Sequence, residues 1–377
     1  MPEYIWIDTP PTLDDFIQHL HTQKVVAVDT ESDSLYSYFE KVCLVQFTTA
    51  SGDYILDPLA VDMSALAPFF ASEDIEKVFH AAEYDVLSLK RDYGFQFNKL
   101  FDTMIAAKIS GWPKFGLGDI LEARFHVKNN KRFQQYNWGQ RPLAPKALQY
   151  ARLDTHYLLR LRTIQLQELK GKKRLQEAQA AFKRVARQIS PPRVFDPDGF
   201  WRIKGAKSLS PQQQATLQAL FILRDNCARK LDRPPFKVIN NHIMVQLAQA
   251  QPKTPAALKS FKGIGNFFVN RCGTKTLNIF NTARPSPSRY TKKHSNHKIS
   301  EAAICRYEYL RQWRNTLAQN RGVEPDVILS NDVLLRIAKA NPATKSQLKK
   351  QNILGQWQFN TYAKILVEAL GKTVNNE

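Results

Sequence analysis

The sequence predicts an α/β domain built on a mixed sheet, followed by two all-α modules. Three observations carry that prediction. Short β-branched runs between residues 24 and 57 give way to helical spacing with one further strand-like run. A long stretch of the back half repeats an earlier stretch at a constant offset of 90 residues. Charge also divides the chain: residues 1–170 hold 18 Lys and Arg against 22 Asp and Glu, whereas residues 171–377 hold 36 against 12.

In chain order, VVAVDTE, CLVQFTT and DYILD read as three strands, the last two separated by a turn at Ser51-Gly52-Asp53. Their short spacing predicts an antiparallel meander. From Ala65 the spacing becomes helical, KVFHA near Lys77 is strand-like, and helices follow, so the sheet is expected to be mixed with helical cover. Arg160 to Arg193 is a helical run containing KGKKR and FKRVARQ, closed by Pro191-Pro192. It reads as a connector carrying basic charge.

The repeat keeps register without a gap. Arg224 maps to Arg314, Ala228 to Ala318, Pro235 to Pro325, Asn241 to Asn331, Thr254 to Thr344 and Gly265 to Gly355. Each copy has apolar residues at three- and four-residue spacing, which predicts helices. ARPSPSRYTKKHSNHK between the copies is rich in Pro, Ser and basic residues, as a flexible linker is. The expected layout is a front α/β domain (1–170), a basic helical connector (171–209), a first helical module (210–282), a linker (283–298) and a second helical module (299–372).

The formal net charge of +20, concentrated in the back half, points to a polyanionic partner. An apolar fraction of 43% supports folded cores rather than disorder. Cys43, Cys227, Cys272 and Cys305 form no C-x-x-C pair, so neither a zinc site nor a disulfide framework is expected. The N-terminus lacks the features of a secretory signal and no apolar run is long enough to span a bilayer, so a cytoplasmic protein with free thiols and no membrane partner is expected.

Three places in the front domain carry candidate chemistry. Asp29 and Glu31 close the first strand and project to one face, with Thr30 turned inward. Asp85 follows KVFHA and opens a helix, with His80 at the strand-to-helix turn. Tyr150 and Asp154 stand four apart on one helical face, beside the buried face marked by Leu153, Tyr157 and Leu158. Each has a plain reading alone: a solvated strand edge, an acid favoured by the helix dipole, a surface Asp beside a core Tyr. Together, four carboxylates and a Tyr on three elements suit phosphodiester hydrolysis by two divalent ions about 4 Å apart. Mg²⁺ and Mn²⁺ prefer such hard oxygen ligands.

The order D-x-E, then Asp85, then Y-x-x-x-D resembles the DEDD exonuclease superfamily, in its Tyr branch. KVFHAAEYD, NWGQRPL (residues 137–143) and YARLDTHYLL resemble the ribonuclease D family within it, and the repeated modules resemble HRDC domains. The resemblance spans nearly the whole chain and implies a ribonuclease H-like exonuclease domain followed by two HRDC-type domains. It implies that Asp29 bridges two metal ions, that Glu31 and Asp154 complete the nucleophile-side site, and that Asp85 holds the second ion through water. Tyr150 would orient the attacking water, and His80 would contact substrate or cap its turn. The implied activity is 3′→5′ removal of nucleoside 5′-monophosphates from RNA with a single-stranded 3′ end, tRNA precursors among the substrates, by a monomer. A DNA exonuclease and a non-catalytic nucleic-acid adaptor are the alternatives. One stretch departs from the family pattern: after Glu31 comes the polar SDSLYSYFEK, with an extra Asp33.

In the back half, Arg224, Arg229, Lys230 and Arg314 are the candidate phosphate contacts, which would set affinity rather than sequence preference. The aromatics among them, Trp313 and Trp357 included, read as core.

Overall fold

The computed structural model describes residues 4–128, 131–190, 194–285 and 299–374. Two compact units emerge: Met1–Glu31 with Val42–Ser190 and Ser295–Glu377, and Ser32–Lys41 with Pro191–His294.

The first unit is built on six strands: β1 (Ile5–Ile7), β2 (Val25–Ser32), β3 (Val42–Thr48), β4 (Asp53–Leu56), β5 (Glu76–Phe79) and β6 (Leu100–Asp102), in the spatial order β1-β4-β3-β2-β5-β6. β3 pairs antiparallel with β4, and β1–β4, β2–β5 and β5–β6 are parallel, so the sheet is mixed. Every residue of β3 is buried, as expected of a strand covered on both faces. The expected strand at KVFHA is β5; β1 and β6, three residues each, had no legible sequence signal.

Helical cover comes from α1 (Pro10–His21), α2 (Ala67–Ala71), α3 (Glu83–Tyr93), α4 (Thr103–Ser110), α5 (Leu117–Phe125), α6 (Pro145–His156), α7 (Leu158–Gly171) and α8 (Leu175–Ala186). The main core joins Val26, Val28, Phe47 and Val78 on the strands to Val86, Leu89, Leu161 and Leu169 on the helices. Ala178, Phe182 and Val185 of α8 belong to the same core, and Phe182 packs on Phe101 with ring centroids 4.8 Å apart. Lys183 and Arg184 of the basic run therefore lie on the exposed face of α8, whose other face completes the core of the first unit.

The two helical modules follow the 90-residue offset element by element. The first has α9 (Pro211–Lys230), α10 (Pro235–Val238), α11 (Asn241–Ala250), α12 (Pro255–Lys259), α13 (Asn266–Phe268) and α14 (Thr274–Thr282). The second has α15 (Glu301–Arg321), α16 (Pro325–Ile328), α17 (Asn331–Ala340), α18 (Lys345–Lys350) and α19 (Gln356–Val374). α11 and α17 begin and end at equivalent positions, and each is capped by a residue with positive φ, Gln251 at 44° and Asn341 at 41°. The copies diverge at their ends: a π-helical turn at Val269–Gly273 precedes α14, whereas α19 runs unbroken. Within the first unit, Arg321 of the second module is ion-paired with Glu177 of α8. Of the expected linker, residues 286–298 lie outside the described residues. Among the described residues, no helix is long and apolar enough to cross a membrane.

Candidate active site

Three elements bring the acidic residues together. β2 carries Asp29 and Glu31 at its end, the first turn of α3 carries Asp85, and α6 carries Tyr150 and Asp154. One carboxylate oxygen each from Asp29, Glu31 and Asp154 lie within 4.8 Å of one another. Burial, reinforced by Asp85, Asp154 and Glu31, holds the Asp29 carboxyl well above its ordinary range. Burial and the charges of Asp154 and Asp85 do the same to Glu31. Asp85 is pushed up to about 7, mainly by burial. Such a cluster repels itself unless a cation sits among its oxygens, so these hard donors fit a divalent ion.

Asp85 is held from β2. Thr30 gives it a backbone N–H and a hydroxyl hydrogen bond, both to Oδ1, at 3.1 and 2.5 Å. The strand alternation predicts Thr30 turned inward, and it is buried; there its hydroxyl reaches Asp85 of α3.

Asp102 fixes the turn before α3. Its buried carboxylate accepts the backbone N–H of Ala81 at Oδ1 and that of Ala82 at Oδ2, and Oδ1 also caps α4 through Met104 and Ile105 N–H. Ala81 sits at φ 61°, a strained position for a residue with a Cβ, which those bonds offset. His80 occupies the same turn. Thr103 donates its hydroxyl to Phe79 O at 3.0 Å and lies 2.9 Å from His80 Nδ1, so Nδ1–H is the donor and Nε2 carries the lone pair. Burial depresses His80 to about 4 and keeps it neutral.

α6 is fastened to the sheet by a buried ion network. Asp53 of β4 accepts from Arg152 Nε at 2.5 Å and Thr48 Oγ1 at 2.7 Å, and lies 2.7 Å from His156 Nδ1. Thr48 also bonds Thr155 at 2.9 Å. Arg152 is 1% exposed although it lies between two site residues in sequence. Tyr150 packs beside Phe133 and the fully buried Trp138, with centroids at 5.6 and 6.4 Å. Arg141 anchors the Trp138 segment through two bonds to Asp57, both 2.6 Å, and bonds to the Trp138 and Cys43 carbonyls. Burial, with Asp154, Glu31 and Asp29 nearby, pushes the Tyr150 phenol far up, so it stays protonated. Local sequence assigns no site role to Thr30, Asp53, Asp102 or Arg152, because their partners lie on distant elements. Within NWGQRPL, Arg141 and Trp138 are the residues that tie the segment to the site's helix and sheet.

Two of the basic candidates are corrected. Arg224 and Arg314 are 9% and 6% exposed and spend their guanidinium groups inside their modules. Arg224 bonds Ile239 O and Asn241 Oδ1, and Arg314 bonds Leu329 O and Asn331 Oδ1, the same interaction 90 residues apart. Both hold a helix–turn together and neither is presented to a phosphate. Arg229 and Lys230 are exposed, and Arg229 pairs with Asp225 at 3.3 Å.

Comparison with known proteins agrees with this architecture. Residues 4–170 match the 3′-5′ exonuclease family, and residues 213–279 and 305–370 each match the HRDC domain. The Exosome complex component 10 homolog of Caenorhabditis elegans is 33% identical over 283 residues, which is 74% of this chain and 32% of that one. Ribonuclease D of Gluconacetobacter diazotrophicus is 24% identical over 347 residues, 89% of this chain and 86% of the relative. The fold of Escherichia coli RNase D superposes with a TM-score of 0.68 at 22% identity, covering 98% of this chain and 99% of that one. The chain spans less than half the length of the exosome-type relatives. An exonuclease-family domain in front and two HRDC domains behind place the chain among the ribonuclease D-like DEDD exonucleases.

Proposed function

We propose that the protein is a metal-dependent 3′→5′ exoribonuclease that releases nucleoside 5′-monophosphates. The convergence of Asp29, Glu31 and Asp154 within 4.8 Å carries this reading. It is supported by a ribonuclease D relative matched over most of both chains. Two divalent ions, Mg²⁺ or Mn²⁺, would supply the Lewis-acid chemistry, lowering the pKa of water and offsetting charge on the leaving oxygen. Asp29 would be shared between them, Glu31 and Asp154 would complete one site, and Asp85 would serve the other through water. Tyr150, protonated at neutral pH, would orient the attacking water by hydrogen bonding and would not act as the base. Neutral His80 would offer Nε2 to the substrate.

The substrate would be RNA with a single-stranded 3′ end, tRNA precursors included, acted on by a monomer in the cytoplasm. The excess of 36 basic over 12 acidic residues in 171–377 supplies the sequence-independent grip. Degradation of matched RNA and DNA single strands tests the substrate class. RNA is expected to shorten stepwise and DNA to persist; the reverse would make this a DNA exonuclease.

A further inference from the structure

The polar stretch after Glu31 departs from the family pattern, and the structure gives it a task. Ser32–Lys41 is grouped with the first HRDC domain rather than with the strands it joins. Its tip residue Tyr38 is 5% exposed and lies in that domain's apolar core with Leu217, Leu220 and Ala228. Tyr38 donates its hydroxyl to Asp225 at 2.8 Å, and Arg229 stacks over its ring at 5.7 Å. Asp232 Oδ1 accepts the backbone N–H groups of Tyr38 and Phe39, at 2.9 and 3.0 Å. Lys237 sits 3.7 Å over the ring of Tyr36.

The base of the loop is closed by Asp33. Its carboxylate accepts from Lys41 N at 2.8 Å, Lys41 Nζ at 2.7 Å and Ser37 Oγ at 2.7 Å. Its carbonyl accepts from Tyr36 and Ser37 N–H, and its own N–H donates to Lys41 O. A loop cross-braced in this way moves as a body. Its tip is fixed in the HRDC core, and its base joins the chain one residue beyond Glu31.

We infer that Ser32–Lys41 is a positioning strap, through which the first HRDC domain sets the geometry of Glu31 in the acidic cluster. Tyr38 and Asp232 are positioning residues that touch neither metal nor substrate. The inference rests on the proposed metal role of the cluster. It gives the first HRDC domain a part in metal affinity as well as in RNA binding, and it explains the extra Asp33 as the strap's clasp.

The test is Mn²⁺ titration of the full-length protein by calorimetry, with amide hydrogen exchange across residues 31–41. Asp29→Asn defines the cluster-dependent binding. Tyr38→Ala and Asp232→Ala are expected to raise exchange in the strap and to weaken that binding on the order of tenfold, as loss of supporting contacts around a metal site does. Asp232→Asn, which keeps an acceptor oxygen, is expected to restore it. Tyr38→Phe keeps the ring in the core and loses only the hydroxyl, so it reads the same effect at smaller size if the alanine variant does not fold. Loosened straps with wild-type Mn²⁺ affinity would overturn the inference while leaving the metal site intact. Wild-type protein without Asp29-dependent Mn²⁺ binding would overturn the metal reading, and the inference with it.

Discussion

Thr30 places two hydrogen bonds on a single oxygen of Asp85, from its backbone N–H at 3.1 Å and its hydroxyl at 2.5 Å. That pair ties the strand carrying Asp29 and Glu31 to the helix carrying the third acid. Thr30→Val keeps the branched shape and the backbone bond but loses the hydroxyl. A hydrogen bond to a charged group is worth roughly 1.5–3 kcal/mol. We predict that kcat falls roughly ten- to a hundredfold with RNA affinity unchanged, and that Thr30→Ser recovers most of it. Steady-state kinetics on a short RNA decides; an unaffected valine variant would show that the helix alone holds Asp85.

Tyr150 and Asp154 share α6, and the proposed function gives them different roles. Asp154→Asn removes a carboxylate from the cluster and is predicted to lower kcat about a thousandfold or more, with saturating Mg²⁺ giving little rescue. Tyr150→Phe removes only a hydrogen bond and should cost roughly ten- to a hundredfold. Equal losses in single-turnover cleavage would mean that the phenol does more than orient water.

The Arg152–Asp53 pair is 1% and 3% exposed, whereas Arg202–Asp196 is 75% and 50% exposed. Arg152→Ala leaves a buried carboxylate short of a partner and should cost about 3–5 kcal/mol in urea unfolding. Arg202→Ala should cost at most about 1 kcal/mol. Similar costs for both would deny that the buried network fastens α6.

Lys77 is fully buried, and its Nζ donates to Ser72 O and Ile75 O at 2.6 and 2.7 Å. Burial lowers its pKa from 10.5 to about 7. Between those values the unfolded chain binds more protons than the native one, so the free energy of unfolding rises with pH. One such group contributes a slope of at most about 1.4 kcal/mol per pH unit. Lys77→Met should flatten the stability profile across that window relative to wild type. Parallel profiles would mean that Lys77 is charged in the fold.

The acids were legible because their spacing is local: a strand alternates faces over Asp29 and Glu31, and a helix aligns Tyr150 with Asp154. The 90-residue offset was legible for the same reason, and α10–α16 and α11–α17 follow it to the residue. What sequence reading missed is non-local. β1 and β6 are too short to alternate visibly. Asp102 reads as an ordinary helix cap until the turn at Ala81 folds back onto it. Arg224 and Arg314 look like surface charge because nothing in their neighbourhood of sequence shows that Asn241 and Asn331 will enclose them.

The most direct measurement is incubation of the purified protein with a 5′-labelled RNA bearing a single-stranded 3′ tail, in Mg²⁺, Mn²⁺ or EDTA, beside the Asp29→Asn variant. The predicted result is a metal-dependent ladder that shortens one nucleotide at a time, absent in EDTA and in the variant, while both proteins shift the RNA equally on a native gel. Cleavage by Asp29→Asn at the wild-type rate, or wild-type protein that binds the RNA and leaves it intact, would contradict the account.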